Sequence, residues 1–170
     1  GALLNEEENA EQAFSQQLSY MENAGGEDST GKTVAFFHVS SSGYVVARKS
    51  GDYVSKMIEL AGGKYVFENQ GDPENATSTV TIEMETFYAT AKDADFIIYN
   101  SAITGEISSL EELLTIEPLL KDFKAVQNGN VWCTGQNMYQ ETMGLGQMIL
   151  EMHEIFTGTA GDLNYFYKLQ

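Results

Sequence analysis

The sequence predicts an α/β fold, a three-layer domain with a mostly parallel sheet and helices on both faces. Three observations carry that prediction. Residues 34–39, 95–100 and 130–134 are short runs with apolar centres and none of the alternation of a half-wetted strand, so they suit strands covered on both sides. The segments between them repeat apolar residues at helical spacing. Strands that alternate with helices build βαβ units, whose strands lie parallel in one sheet.

Residues 5–23 give the first predicted helix. Ala10, Phe14, Leu18 and Met21 form one stripe, and Glu6, Glu7 and Glu8 suit the positive end of its dipole. Residues 24–31 (AGGEDSTG) are a linker by composition. The chain therefore divides into a leading helix and linker, 1–31, and an α/β body, 32–170. The strand at 34–39 opens the body. A small-residue loop, Ser40-Ser41-Ser42-Gly43, runs on through Tyr44 to Arg48, and a helix capped by Ser50 or Asp52 follows. Val54, Met57, Ile58 and Ala61 fall at i, i+3, i+4 and i+7 on one face. Gly62-Gly63 ends this helix, because glycine accepts the left-handed backbone a C-cap needs.

Residues 64–67 are a short strand. Residues 68–78 are loop, with a turn at Gly71-Asp72-Pro73. Asn75-Ala76-Thr77 matches the glycosylation sequon, a weak pattern without meaning in a bacterial chain. A brief β-rich run at 79–82 leads to a helix at 83–92, with Met84, Phe87, Tyr88 and Ala91 on one face. Beyond the strand at 95–100 come short helices at 108–114 and 117–123, the second with Pro118 at its start. The turn Asn128-Gly129 precedes the strand at 130–134. A long helix is predicted at 138–156, where Leu145, Met148, Ile149, Met152, Ile155 and Phe156 keep the 3.6 period. The tail, 163–169, is aromatic enough to pack on the body.

Composition narrows the function. At 170 residues, 42% of them hydrophobic, the chain suits one domain with a full core. A formal charge of −16 argues against nucleic acid and against an anionic membrane surface as partners. It fits an extracytoplasmic or highly soluble protein, or one that docks on a basic partner. Seven of the 25 acidic residues precede the first basic residue, Lys32. The single cysteine, Cys133, offers neither an internal disulfide nor a metal cluster. No run approaches the roughly 18 apolar residues of a membrane span, and the residues of the chain do not read as a signal peptide. Gly1 reads as a residue left by tag removal, so a leader and more sequence are expected upstream.

Nothing in the chain points to catalysis. There is no GxGxxG after a strand, no phosphate-binding P-loop and no G-x-S-x-G elbow. A serine nucleophile would need a base, and only His38 and His153 exist, one in a strand and the other on a distant helix. Both read better as core or surface histidines. Arg48 is the only arginine, and its planar guanidinium suits a carboxylate or phosphate. Set in a loop beyond a strand end with Tyr44 nearby, it is a candidate to hold an anionic ligand; a surface ion pair is the plainer alternative. In such sheets ligands meet the loops at the carboxyl ends of the strands. That adds Ser41 and Ser42 after the first strand and Ser101 after the second. Trp132, Asn137, Tyr139 and Gln140 flank the end of the third, although Trp132 reads better as core. Glu83 and Glu85 open a helix on the same edge, suited either to its dipole or to a basic partner.

With these pieces in place, the chain resembles the carboxyl-terminal lobe of an ABC-transporter substrate-binding protein of the iron-siderophore, haem and cobalamin family. The matching stretches are KTVAFFHVSSSGYVVARKSGDYVSKMIELAGGKYVF, TIEMETFYATAKDADFIIYN, NGNVWCTGQNMYQETMGLGQMILEMHEIFTG and the closing LNYFYKL, which together cover residues 32–169. The resemblance implies one Rossmann-like lobe of a bilobal protein, with residues 5–23 at or just after the end of the helix that joins the lobes. It also implies that the amino-terminal lobe is missing, so that this chain alone holds half a cleft. The expected ligand is an iron compound, a ferric siderophore or haem, with cobalamin also in the family's range, and no cofactor or structural metal is expected. Tyr44 and Arg48 are the expected contacts from the first loop, with Ser41, Ser42, residues 101–104 and residues 137–140 beside them. Glu85, with Glu83 as its alternative, would dock on arginines of the membrane permease. The family's usual location implies a periplasmic or cell-surface lipoprotein anchored upstream. Two other readings are kept: a small α/β hydrolase or transferase acting on an anionic small molecule, and an interaction module that binds no small molecule.

Overall fold

The computed structural model describes residues 29–71, 77–140 and 144–170. The helix predicted at 5–23, most of the linker after it, the Asp72-Pro73 turn and Asn75-Ala76 of the sequon lie outside the described residues.

The described chain forms one mixed sheet. Its strands are β1 (Lys32–Val39), β2 (Val45–Arg48), β3 (Gly63–Tyr65), β4 (Thr79–Ile82), β5 (Phe96–Tyr99), β6 (Val131–Thr134) and β7 (Phe166–Lys168). They lie in the order β4-β2-β1-β5-β6-β7, and β3 pairs with β1 as well. β1 runs parallel to β3 and β5, and β5 runs parallel to β6. β2 is antiparallel to both β1 and β4, so β4 points the same way as β1; β7 is antiparallel to β6. The sheet is thus mostly parallel, with β2 and β7 reversed.

Helices cover both faces, as predicted. They are α1 (Tyr53–Leu60), α2 (Met84–Ala91), the single turn α3 (Ser101–Thr104), α4 (Leu110–Ile116), a 3-10 segment (Pro118–Asp122), α5 (Lys124–Gln127) and α6 (Leu145–Thr157). Alternation along the strands sorts the core into two layers. On one face Phe96 meets Phe156 of α6, and α6 packs beside α1. On the other, Phe37 meets Phe87 of α2 edge-on at 4.7 Å, and Phe87 lies 5.3 Å from Phe123. The centres of β1, β5 and β6 are fully buried, which explains their unbroken apolar sequence. Asp52, not Ser50, caps α1 by accepting the Val54 N–H at 3.0 Å, and Val54, Met57, Ile58 and Ala61 are all buried. Gly62 follows with φ of 83°, the left-handed conformation its position requires.

Three expectations are corrected. The stretch after β1 is a β-hairpin, not a loop feeding a helix: Ser40 N–H donates to the Tyr44 carbonyl, and Val45–Arg48 pairs back along β1. Gly43, at φ of 80°, permits the tight reversal. Arg48 accordingly closes a strand and does not sit in a loop. The long helix begins at Leu145, not near 138. Gly144 sits against the Tyr165 ring, where a Cβ would collide, and residues 136–140 are turns. The tail goes beyond packing on the body, since β7 adds an antiparallel strand to its edge.

Candidate functional site

Register places the polar loops at one end of the sheet. Val39 ends β1, and Asn100 follows β5 with its N–H on the Phe37 carbonyl at 2.8 Å. Thr134 ends β6 beside Asn100. At the outer edge Ile82 lies opposite Val45, which lies opposite Val39. The loops after β1, β4, β5 and β6 therefore share one rim, at the carboxyl ends of the parallel strands.

The first loop presents Ser41, Ser42 and Tyr44 to solvent, and Tyr44 keeps 48% of its surface exposed. Arg48 turns inward. Its Nη2 donates to Tyr139 Oη at 3.0 Å, and its Nη1 lies 3.5 Å from Asp52 Oδ2. Its guanidinium carbon sits 5.3 Å from the Tyr139 ring centre. The side chains of Arg48 and Asp52 are only 14% and 4% exposed. The ion pair weighed as the plainer alternative is present, and Arg48 spends its charge within the protein, joining β2, the start of α1 and the loop after β6.

The second loop is built from buried polar groups. Ser101 is fully buried, and its hydroxyl donates to the Thr134 carbonyl while lying 3.2 Å from Tyr167 Oη. Ala102 N–H donates to Thr134 Oγ1 at 3.1 Å. Ser101 thus fixes the turn and is not presented at the surface, whereas Ile103 and Thr104 are exposed. In the third loop Asn137 Nδ2 donates to the Asn164 carbonyl at 3.2 Å, and Gln140 is exposed. Tyr139 is half-buried against Arg48 with its hydroxyl near the Asn100 side chain. Trp132 does not join them. It lies lower on β6, in a groove with Asn130, Ala160 and Lys168.

Electrostatics follow from this packing. Burial first, then the Arg48 charge, holds the His38 pKa below its ordinary value. Burial pushes the Tyr139 hydroxyl up, although Arg48 opposes it. Tyr53 is pushed up to about 12, again first by burial. His153 is remote from His38, with Nδ1 3.1 Å from the Ala61 carbonyl at the far end of α1. The two histidines share no site. Burial pushes the Cys133 thiol up to about 12, which keeps it protonated and inert. Among the described residues no group of His, Cys, Asp and Glu could hold a metal ion, and no helix is long and apolar enough to cross a membrane.

Glu83 sits at the N-cap position of α2 without capping it through its side chain, and Glu85 lies in the first turn; both are exposed at the rim's outer edge. Sequence reasoning missed His38, Asp52, Tyr53 and Ile116 as rim or near-rim residues. Asp52 and Tyr53 were legible only as a helix start. Ile116 reaches the rim through tertiary packing that no local pattern encodes.

A cavity of 550 Å³ opens between the first two loops, lined among others by Val39, Ser40, Ser41, Tyr99 and Ile103. A second, of 690 Å³, lies to the side, between the start of α1 and the loop that follows β3.

Comparison with known proteins agrees with this architecture. An uncharacterised lipoprotein of Methanocaldococcus jannaschii is 30% identical over 123 residues, which is 69% of this chain and 30% of the lipoprotein. The siderophore periplasmic binding protein of the Thermobifida fusca fuscachelin cluster superposes with a TM-score of 0.67 at 18% identity, over 92% of this chain and 56% of that one. The periplasmic haem-binding protein of Roseiflexus sp. RS-1 superposes with a TM-score of 0.64 at 19% identity, over 91% and 56%. At such identity the likeness to both is one of fold. The chain spans less than a third of the lipoprotein and little more than half of each solved chain. The model of the family described as periplasmic binding protein matches residues 1–138, and this chain belongs to that family.

Proposed function

We propose that the chain is the carboxyl-terminal lobe of the substrate-binding component of an ABC importer, which captures an iron compound and delivers it to a membrane permease. The iron compound is a ferric siderophore or haem. One observation carries the reading: the loops after β1, β5 and β6 share a single rim, where Val39 ends β1, Asn100 follows β5 and Thr134 ends β6 beside it. A rim at the carboxyl ends of parallel strands is where ligands bind in open α/β sheets. The siderophore and haem proteins of like fold support the iron compound, and the lipoprotein relative supports an extracytoplasmic location on an anchor upstream.

Ser41, Ser42 and Tyr44 meet the ligand from the first loop, and Asn137, Tyr139 and Gln140 from the third. Arg48 and Ser101 act from behind, Arg48 by holding Tyr139 and Ser101 by fixing the turn after β5. Glu85, with Glu83 next to it, docks on basic residues of the permease. Capture takes two lobes, so binding belongs to the full-length protein.

The test is a titration of the full-length protein with ferric siderophores, haemin and cobalamin. Saturable binding of an iron compound, abolished by Tyr44→Ala together with Tyr139→Ala, is expected. Binding of none, or turnover of a small anionic ester in its place, would remove the reading in favour of an interaction module or a hydrolase.

A further inference from the structure

The cavity beneath the β1–β2 turn differs from the rest of this acidic molecule. It is walled by Val39, Tyr99, Ile103 and Ile116, and none of its lining residues is a Lys, Arg, Asp or Glu. Ser40, Ser41 and Thr104 add neutral hydroxyls. His38 also lines it, with an imidazole that burial and the nearby Arg48 hold toward the uncharged form.

Two of the walls stand open to water. Ile103 keeps 54% of its surface exposed and Ile116 42%. Isolated exposed apolar residues are ordinary, but here two flank one cavity at the carboxyl end of the parallel strands. Arg48, the cation that would draw an anion to this lobe, is already paired with Asp52 and Tyr139. Arg48 does not line the cavity, so no cation stands in its wall to receive a ligand carboxylate or catecholate.

We infer that the ligand presents an apolar, uncharged face to this lobe, and that Ile103 and Ile116 are the side chains that select it. The inference rests on the binding-protein reading above. A macrocycle's hydrocarbon edge or an aliphatic linker between chelating groups fits such a wall. The anionic groups of the same ligand point away from it.

The experiment uses the full-length protein and three probes: haemin, a neutral ferric trihydroxamate and an anionic ferric tris-catecholate. The tightest-bound probe is then titrated against Ile103→Ser, Ile116→Ser and Ile103→Lys, each checked for folding by circular dichroism. Each serine variant is expected to weaken binding about tenfold, the effect of exposing roughly half an isoleucine side chain. Ile103→Lys should weaken it at least as much. If the probe binds and the serine variants match the parent, or if Ile103→Lys tightens binding, this inference falls while the binding-protein reading stands. If the parent binds none of the three, both fall together.

Discussion

Replacing Glu151 should detach the edge of the sheet that supports the third rim loop. Glu151 is 3% exposed on α6, and no cation contacts it among the described residues. Its carboxylate instead gathers N–H donors: Gln147 Nε2 at 3.1 Å, Asn164 N at 3.0 Å, Asn164 Nδ2 at 3.2 Å and Tyr165 N at 2.9 Å. The same two residues hold the rim loop through their carbonyls, Tyr165 to Gly135 N at 2.6 Å and Asn164 to Asn137 Nδ2 at 3.2 Å. In Glu151→Ala the backbone N–H groups of Asn164 and Tyr165 lose their acceptor. At about 1–3 kcal/mol for the buried Tyr165 N–H and about 1 kcal/mol for the bond lost at exposed Asn164, less a few tenths for alanine's helix propensity, the loss should be roughly 2–4 kcal/mol. For a domain of this size that lowers Tm by roughly 5–15 °C.

The assay is built in. Trp132 is the single tryptophan; it pairs with Lys168 of β7, whose Nζ lies 5.8 Å from its ring centre. Urea unfolding followed by Trp132 fluorescence should therefore show an earlier transition in the variant than circular dichroism does. Glu151→Gln should fall between, because its amide keeps one acceptor and turns a donor toward other donors. A Glu151→Ala protein within about 0.5 kcal/mol of the parent, with coincident transitions, would refute the reasoning.

Other predictions follow from the same geometry. Arg48→Ala should cost about 2–4 kcal/mol in urea melts, since it leaves Asp52 buried without its partner; Arg48→Ala with Asp52→Asn should recover part of that loss. Burial alone would raise the Asp95 pKa, but Lys124 Nζ at 2.7 Å and the N–H and hydroxyl of Thr33 outweigh it and leave the group below its ordinary value. A depressed carboxylate stabilises the fold above its unfolded pKa, and that contribution is lost as pH falls below about 4 and through the folded value. Asp95→Asn should thus differ from the parent near neutral pH and converge on it in acid, as read by urea midpoints across pH. Gly63→Ala should destabilise by about 1–3 kcal/mol in the same assay, because its Cβ would lie 2.8 Å from Phe156 Cε2 and 3.1 Å from Val34 Cγ2.

The sequence was most legible where burial is complete. The apolar centres of β1, β5 and β6 and the Val54-Met57-Ile58-Ala61 face of α1 each record one environment along their whole length. The hairpin was hidden because β2 has four residues, too few to separate period 2 from the helical period that follows. The Ser-Ser-Ser-Gly turn was itself a signal for it. The start of α6 was misread because Met138 is buried from a loop and mimics a helical stripe. Glu151 lay in plain view within the apolar face formed by Met148, Met152 and Ile155, where a lone carboxylate signals a hydrogen-bonded staple. At the rim, Ser41, Ser42, Tyr44 and Gln140 are exposed, but two other candidates are turned away from solvent. Arg48 and Ser101 face inward because Asp52, Tyr139 and Thr134 accept them, and those partners are distant in sequence or, for Asp52, legible only as a cap.

The central claim is that ligand meets the carboxyl rim of this sheet. Hydrogen–deuterium exchange of the full-length protein, with and without added ferric siderophore or haemin, tests it most directly. Protection is expected at residues 40–44, 101–104 and 136–140. Protection confined to the opposite end, at residues 124–130 and the amino end of β1, would contradict it.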